Sequence, residues 1–159
     1  MEFVIKTKID FSEYQKFNKV ILNVIHKDNI KFIFGILIFI GLLIFSILTH
    51  DYYFSFFITS FFIVLLIITK ILVKNSVKKS WNTNKLLKDI VFTYTFSENQ
   101  FTVSANNGSQ IINKNDIYRF IETKTNFYIM LSNNTGYIIL KENCTEEQKE
   151  FIVKNYSNT

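Results

Sequence analysis

The sequence predicts a membrane-spanning α-helical hairpin joined to an α+β domain, and three observations carry that prediction. Two apolar runs, residues 32–49 and 52–69, lie back to back with only His50 and Asp51 between them, and neither contains a charge. Lysines flank the pair on both outer sides and are missing from the turn. From residue 89 the hydrophobic period changes to two, and a helical period returns only near the end of the chain.

Each run has 18 residues. At about 1.5 Å per residue that is a helix of roughly 27 Å, close to the hydrocarbon thickness of a bilayer. So short a connection forces an antiparallel hairpin. Both runs are rich in Phe, Ile and Leu all round. This argues against a pair of amphipathic core helices in a soluble protein.

The flanking charges give an orientation. Lys16, Lys19, Lys27 and Lys31 precede the first run, and Lys70, Lys74, Lys78 and Lys79 follow the second. By the positive-inside rule both termini are expected in the cytoplasm of a bacterial cell, with two spans in its membrane and the turn outside. Tyr52 and Tyr53 fit an outer aromatic belt, and Trp81 an inner interfacial anchor. Lys70 and Lys74 are placed to snorkel to inner headgroups. The expected membrane-interface set is Lys31, Tyr52, Tyr53, Lys70, Lys74, Lys78, Lys79 and Trp81. The start of the chain lacks the pattern of a cleaved signal peptide, so the first run is expected to be a retained span. No lipidation motif is visible.

With 159 residues and a net charge of +5, the chain has room for one small domain besides the hairpin. Cys144 is its only cysteine, which excludes an intramolecular disulfide and suits a cytosolic soluble part. The abundance of Phe, Ile, Lys and Asn, without a single Pro, fits an AT-rich genome.

Four segments follow. Residues 1–31 hold a strand over 3–9 and then an amphipathic helix. Asp10 or Ser12 caps that helix, and Phe11, Tyr14, Phe17, Ile21 and Ile25 form its stripe. It is expected to lie on the membrane surface or to run into the first span. Residues 32–69 are the hairpin. Residues 70–88 form a basic juxtamembrane helix with six lysines, continuing the second span and then peeling along the inner surface. Residues 89–159 form the β domain. Strands are expected over 90–96, 101–105, 110–113, 117–123, 127–131 and 137–140, with turns at Asn106-Asn107-Gly108 and Asn133-Asn134-Thr135-Gly136. Short connections make the sheet an antiparallel meander. Thr145 and Gln148 make a capping box for a final helix, and Phe151, Ile152 and Tyr156 give it an apolar stripe for the sheet. A meander of about six strands ending in one helix is the outline of a pleckstrin-homology-like partial barrel plugged by that helix. If residues 3–9 join it, the domain straddles the hairpin in sequence.

This order resembles the YcxB-like protein family. The matching stretches are residues 7–18 (TKIDFSEYQKFN), 116–123 (DIYRFIET), 127–131 (FYIML) and 136–141 (GYIILK). Two positions depart from the family pattern: Lys114 stands near a usual Trp, and Leu140 stands at a usual Pro. The resemblance implies architecture and little mechanism.

The sequence offers no catalytic set. The predicted topology puts His26 and His50 on opposite sides of the membrane, so they share no metal or relay, and no zinc-ligand spacing occurs. His50 and Asp51 read as turn and cap residues. Cys144 reads as a small buried residue between strand and helix, its pKa lowered somewhat by the helix start. Asp116 and Glu122 are too far apart for a carboxylate dyad. Gly35 and Gly41 do not form a GxxxG pair, and neither run contains an ionisable group of the kind an ion pathway needs. The lysines of residues 70–88 lie beside a span, where anionic lipid rather than nucleic acid is their expected partner.

The expected function is therefore that of a membrane-anchored binding protein, neither enzyme nor metal or cofactor carrier. Its expected partners are the lipid bilayer and a protein met through a strand edge or loop of the β domain. Self-protection against a bacteriocin or toxin is the concrete version, by analogy with small membrane proteins of comparable design. A structural or envelope-stress role through lipid or membrane-protein contacts is the alternative.

Overall fold

The computed structural model describes residues 2–27, 30–83, 90–105 and 108–157, with side chains described outside 24–32. Contacts divide the chain into two units, Met1–Ile21 with Asn84–Thr159, and Leu22–Thr83. The first is an α+β domain and the second a pair of helices.

The domain begins with β1 (Phe3–Lys8), whose alternate residues Ile5 and Thr7 are buried while their neighbours face out. After the helices, β2 (Val91–Phe96), β3 (Gln100–Ala105) and β4 (Gly108–Asn113) follow in sequence. These four make one antiparallel sheet in the order β1-β2-β3-β4. The condition left open by the sequence is met, because all six residues of β1 pair with β2, from Phe3 opposite Phe96 to Lys8 opposite Val91. Period two then sorts the side chains. Phe96, Phe101 and Ile112 form one inward row and Ile5, Tyr94 and Val103 the next. The turn residues 106 and 107 lie outside the described residues.

The chain leaves β4 through a 3-10 turn, Lys114–Asp116, and enters β5 (Arg119–Glu122), β6 (Asn126–Met130) and β7 (Gly136–Leu140). These form a second, three-stranded antiparallel sheet. The expected single meander is thus two sheets, and among the described residues no pairing joins β4 to β5 or closes a barrel. The 3-10 turn supplies the physical reason. It closes on itself, with the Ile117 amide donating to the Lys114 carbonyl, and so breaks the ladder between the two strands. Phe127, Ile129 and Ile139 of the second sheet face the rows of the first within a single core. A buried tyrosine ties the sheets: Tyr94 Oη donates to the Ile138 carbonyl at 3.0 Å.

After a second 3-10 turn, Lys141–Asn143, α4 (Glu146–Tyr156) closes the core with Ile152 and Tyr156, both essentially inaccessible. Its capping box forms as expected. The Gln148 amide donates to Thr145 Oγ1, and the Thr145 amide donates to Gln148 Oε1.

The helix α1 (Phe11–Lys27) is capped by Asp10, which accepts the Glu13 amide at 2.8 Å. Its first turns dock on the domain, a placement that its amphipathic stripe did not specify. Phe17 stacks on Tyr128 with centroids 5.8 Å apart, and Glu13 accepts a hydrogen bond from the buried amide of Asn126. This explains why β6 is buried at all five positions. One face meets the core and the other meets α1.

The second unit pairs α2 (Ile30–Leu48) with α3 (Tyr52–Thr83). The Ser46 and Ser55 hydroxyls hydrogen-bond to each other, and Phe39 stacks on Phe62 at 4.1 Å. Each pair is equidistant from the His50-Asp51 turn, as an antiparallel hairpin requires. His50 takes a left-handed conformation with φ 55°, and Asp51 caps α3 by accepting the Phe54 amide at 3.0 Å. The basic stretch after residue 69 continues α3 as one helix of 32 residues.

Candidate functional site

Composition decides what the helical unit can touch. No residue of α3 is buried, although its first half is almost wholly apolar. By length and composition α3 can cross a membrane, while the described apolar part of α2, Ile33–Leu48, is shorter. Phe56, Phe57, Phe61 and Ile63 are all more than half exposed. Uncovered apolar surface on this scale is a feature of helices that contact a membrane or a partner.

The residues expected at a membrane interface fall on three places. Tyr52 and Tyr53 open α3 and are 67% and 92% exposed. Lys70, Lys74, Lys78 and Lys79 are exposed on its second half, and Trp81 is half-buried near its end. At about 100° per residue, Lys70, Lys74, Lys78 and Trp81 share a face about 80° wide, with Lys79 off it. No acidic residue occurs anywhere on α3 to neutralise them. The Lys31 side chain lies outside the described residues, as do that of His26 and residues 84–89 with Lys85 and Lys88.

Within the α+β domain the sheet edges differ. The outer edge of β1 is occupied: Asn143 Nδ2 donates to the Lys6 carbonyl at 2.9 Å, and Gln148 Nε2 to the Val4 carbonyl at 3.4 Å. The far edge, β4, has no strand beyond it among the described residues. Its sequence, GSQIIN, carries no lysine or proline, the usual guards of an edge.

Tertiary folding also assembles a cleft that no local motif announces. The first turn of α1, the 124–126 turn, the end of β7 and α4 enclose about 330 Å³. Lys16, Lys124, Lys141 and Lys149 reach it from four separate segments. A broader groove beside it shares three of these lysines and has Phe127 and Val153 in its wall. Lys141 pairs with Glu122 and sits 4.5 Å over the Phe127 ring. Lys149 pairs with Glu146 at 2.7 Å, and Lys16 with Glu13 at 2.6 Å. The sequence signal, a buried Asn opening a strand beside a lysine-bearing turn, is recognisable only once α1 is docked.

Cys144 is buried and donates to the Leu140 carbonyl at 3.4 Å. Burial pushes its thiol up to about 11, and the nearby Lys149 and Lys141 only partly oppose this. The expected lowering by the helix start is thus overturned by desolvation. Asp116 accepts from Asn113 while Glu122 binds Lys141, so the two carboxylates serve separate local roles. His50 meets Tyr52 Oη at 3.3 Å across the turn. Among the described residues no group of His, Cys, Asp and Glu could hold a metal ion.

Residues 96–154, from the end of β2 into α4, match the family model of the YcxB-like proteins. The resemblance read from the sequence is therefore supported over residues 96–154, which hold the stretches 116–123, 127–131 and 136–141, while the stretch 7–18 lies outside the match. No curated protein and no solved structure matches the chain.

Proposed function

We propose that this YcxB-like chain is a non-catalytic binding protein, anchored in the bacterial cell membrane by α2 and α3 and presenting a pleckstrin-homology-like domain to the cytoplasm. One observation carries the reading: β1, before the helices, pairs along its whole length with β2, after them. A sheet cannot be stitched through a bilayer, so the chain between Lys8 and Val91 crosses an even number of times. The exposed apolar length of α3 supports a crossing there. A second crossing keeps the number even, and α2 is the other apolar helix among the described residues. The interhelical Ser46–Ser55 bond is the kind of polar pairing that helices use inside lipid.

Charge supports the orientation. Lysines spaced four apart on α3 repel one another in water by a few tenths of a kcal/mol per pair. Beside an anionic leaflet each instead gains about 1 kcal/mol. The sandwich of a four-stranded and a three-stranded sheet closed by a C-terminal helix supports the pleckstrin-homology-like assignment. The unguarded β4 edge supports partner binding by strand addition. In the concrete version the partner is a toxin or bacteriocin, against which the chain protects its own cell. Deleting the gene is expected to sensitise cells to a toxin encoded beside it. Unchanged survival of the deletion strain under that toxin contradicts the immunity role.

A further inference from the structure

We propose that the cleft over Asn126 binds a phosphomonoester in its singly protonated form. The inference goes beyond the membrane-anchored reading and does not depend on it, because every residue involved belongs to the α+β unit. Two independent observations meet at one place.

The first is charge. Four lysines line the cleft against two carboxylates, Glu13 and Glu142. Lys124 makes no ion pair among the described residues. Lys16 pairs with the cleft's own Glu13, while Lys141 and Lys149, themselves 17% and 28% exposed, are paired outward to Glu122 and Glu146, whose side chains are 48% and 84% exposed. Ion pairs so open to water are weak, and both ammonium groups can turn to an anion that offers a drier partner.

The second is a missing hydrogen bond. Asn126 is wholly inaccessible and forms part of the cleft wall. Its Nδ2 donates to Glu13 and to Tyr128 Oη, but its Oδ1 is buried with no partner. A buried acceptor left unpaired is costly, so the site is incomplete without a donor. The lysines call for an anion, and Asn126 calls for an O–H on it. A singly protonated phosphomonoester supplies both. Sulfate and phosphodiesters carry the charge without the proton.

The test uses the full chain in detergent micelles, titrated calorimetrically with glycerol 3-phosphate and, separately, with sulfate. At about pH 6 roughly half of a phosphomonoester keeps its proton. Glycerol 3-phosphate is expected to bind about tenfold or more tighter than sulfate, and Lys124→Gln to weaken it about threefold to tenfold. Asn126→Ala also strips Glu13 of its donor and endangers folding, so the selectivity of the native chain is the primary readout. Equal affinity for sulfate, or no heat with millimolar glycerol 3-phosphate, overturns the proposal. Nanodiscs distinguish the sources of the ligand. If replacing phosphatidylglycerol by phosphatidic acid weakens glycerol 3-phosphate binding by competition, the ligand is a membrane phosphomonoester. Unchanged binding identifies a soluble one.

Discussion

A hydroxyl or thiol shut away from water resists ionisation, and this domain holds several. Burial raises the Tyr156 phenol to about 12 and the Cys144 thiol to about 11, and it pushes Tyr94, Tyr128 and Tyr137 upward as well. In the unfolded chain the same groups ionise from about pH 9 to 10. Below that range both states hold their protons, and these groups make stability independent of pH. Above it the unfolded chain releases protons that the native domain retains, so stability falls as pH rises from about 9 toward about 12. The denaturation midpoint is accordingly expected to be lower at about pH 11 than at about pH 8. A midpoint that holds steady across this interval contradicts the burial of these groups. The buried role of Cys144 was legible in the sequence. The direction of its shift was not, because the sequence reveals a helix start but not the desolvation that outweighs it.

Alternation is the clearest signal at the scale of elements. Each strand of the β domain was legible to within about two residues, as period-two patterning allows. The pairing of β1 was legible only as a condition, since its partner lies beyond more than eighty residues of intervening chain. The division into two sheets was not legible, because it turns on a 3-10 turn at Lys114–Asp116 that has no strong composition. The docking of α1 was hidden for a related reason. An amphipathic stripe reports that Phe17 needs an apolar partner without saying whether that partner is lipid or Tyr128. The cleft lysines, scattered over more than 130 positions, carried no local pattern at all. If β1 is integral to the core, Ile5→Ala costs about 2–5 kcal/mol, whereas Val4→Ala, on the outward face, costs less than about 0.5 kcal/mol. Chemical denaturation of the two variants in the same detergent checks this. Equal small effects would mean that β1 is only loosely attached.

The whole molecule is organised around one constraint. A single sheet draws strands from both sides of a helical pair, so the two ends of that pair share one compartment. The lysine flanks, the apolar length of α3 and the Ser46–Ser55 contact agree with a hairpin that enters a membrane and returns. In the proposed topology the α+β domain faces the cytoplasm, and with it the open β4 edge and the lysine cleft. The most direct measurement is labelling of intact cells with a membrane-impermeant maleimide, using single-cysteine variants in a Cys144→Ala background. Tyr53→Cys, beside the turn, is expected to react from outside in unbroken cells, and Glu147→Cys, on α4, only after lysis. Labelling of Glu147→Cys from outside, or protection of both positions until lysis, would contradict the topology.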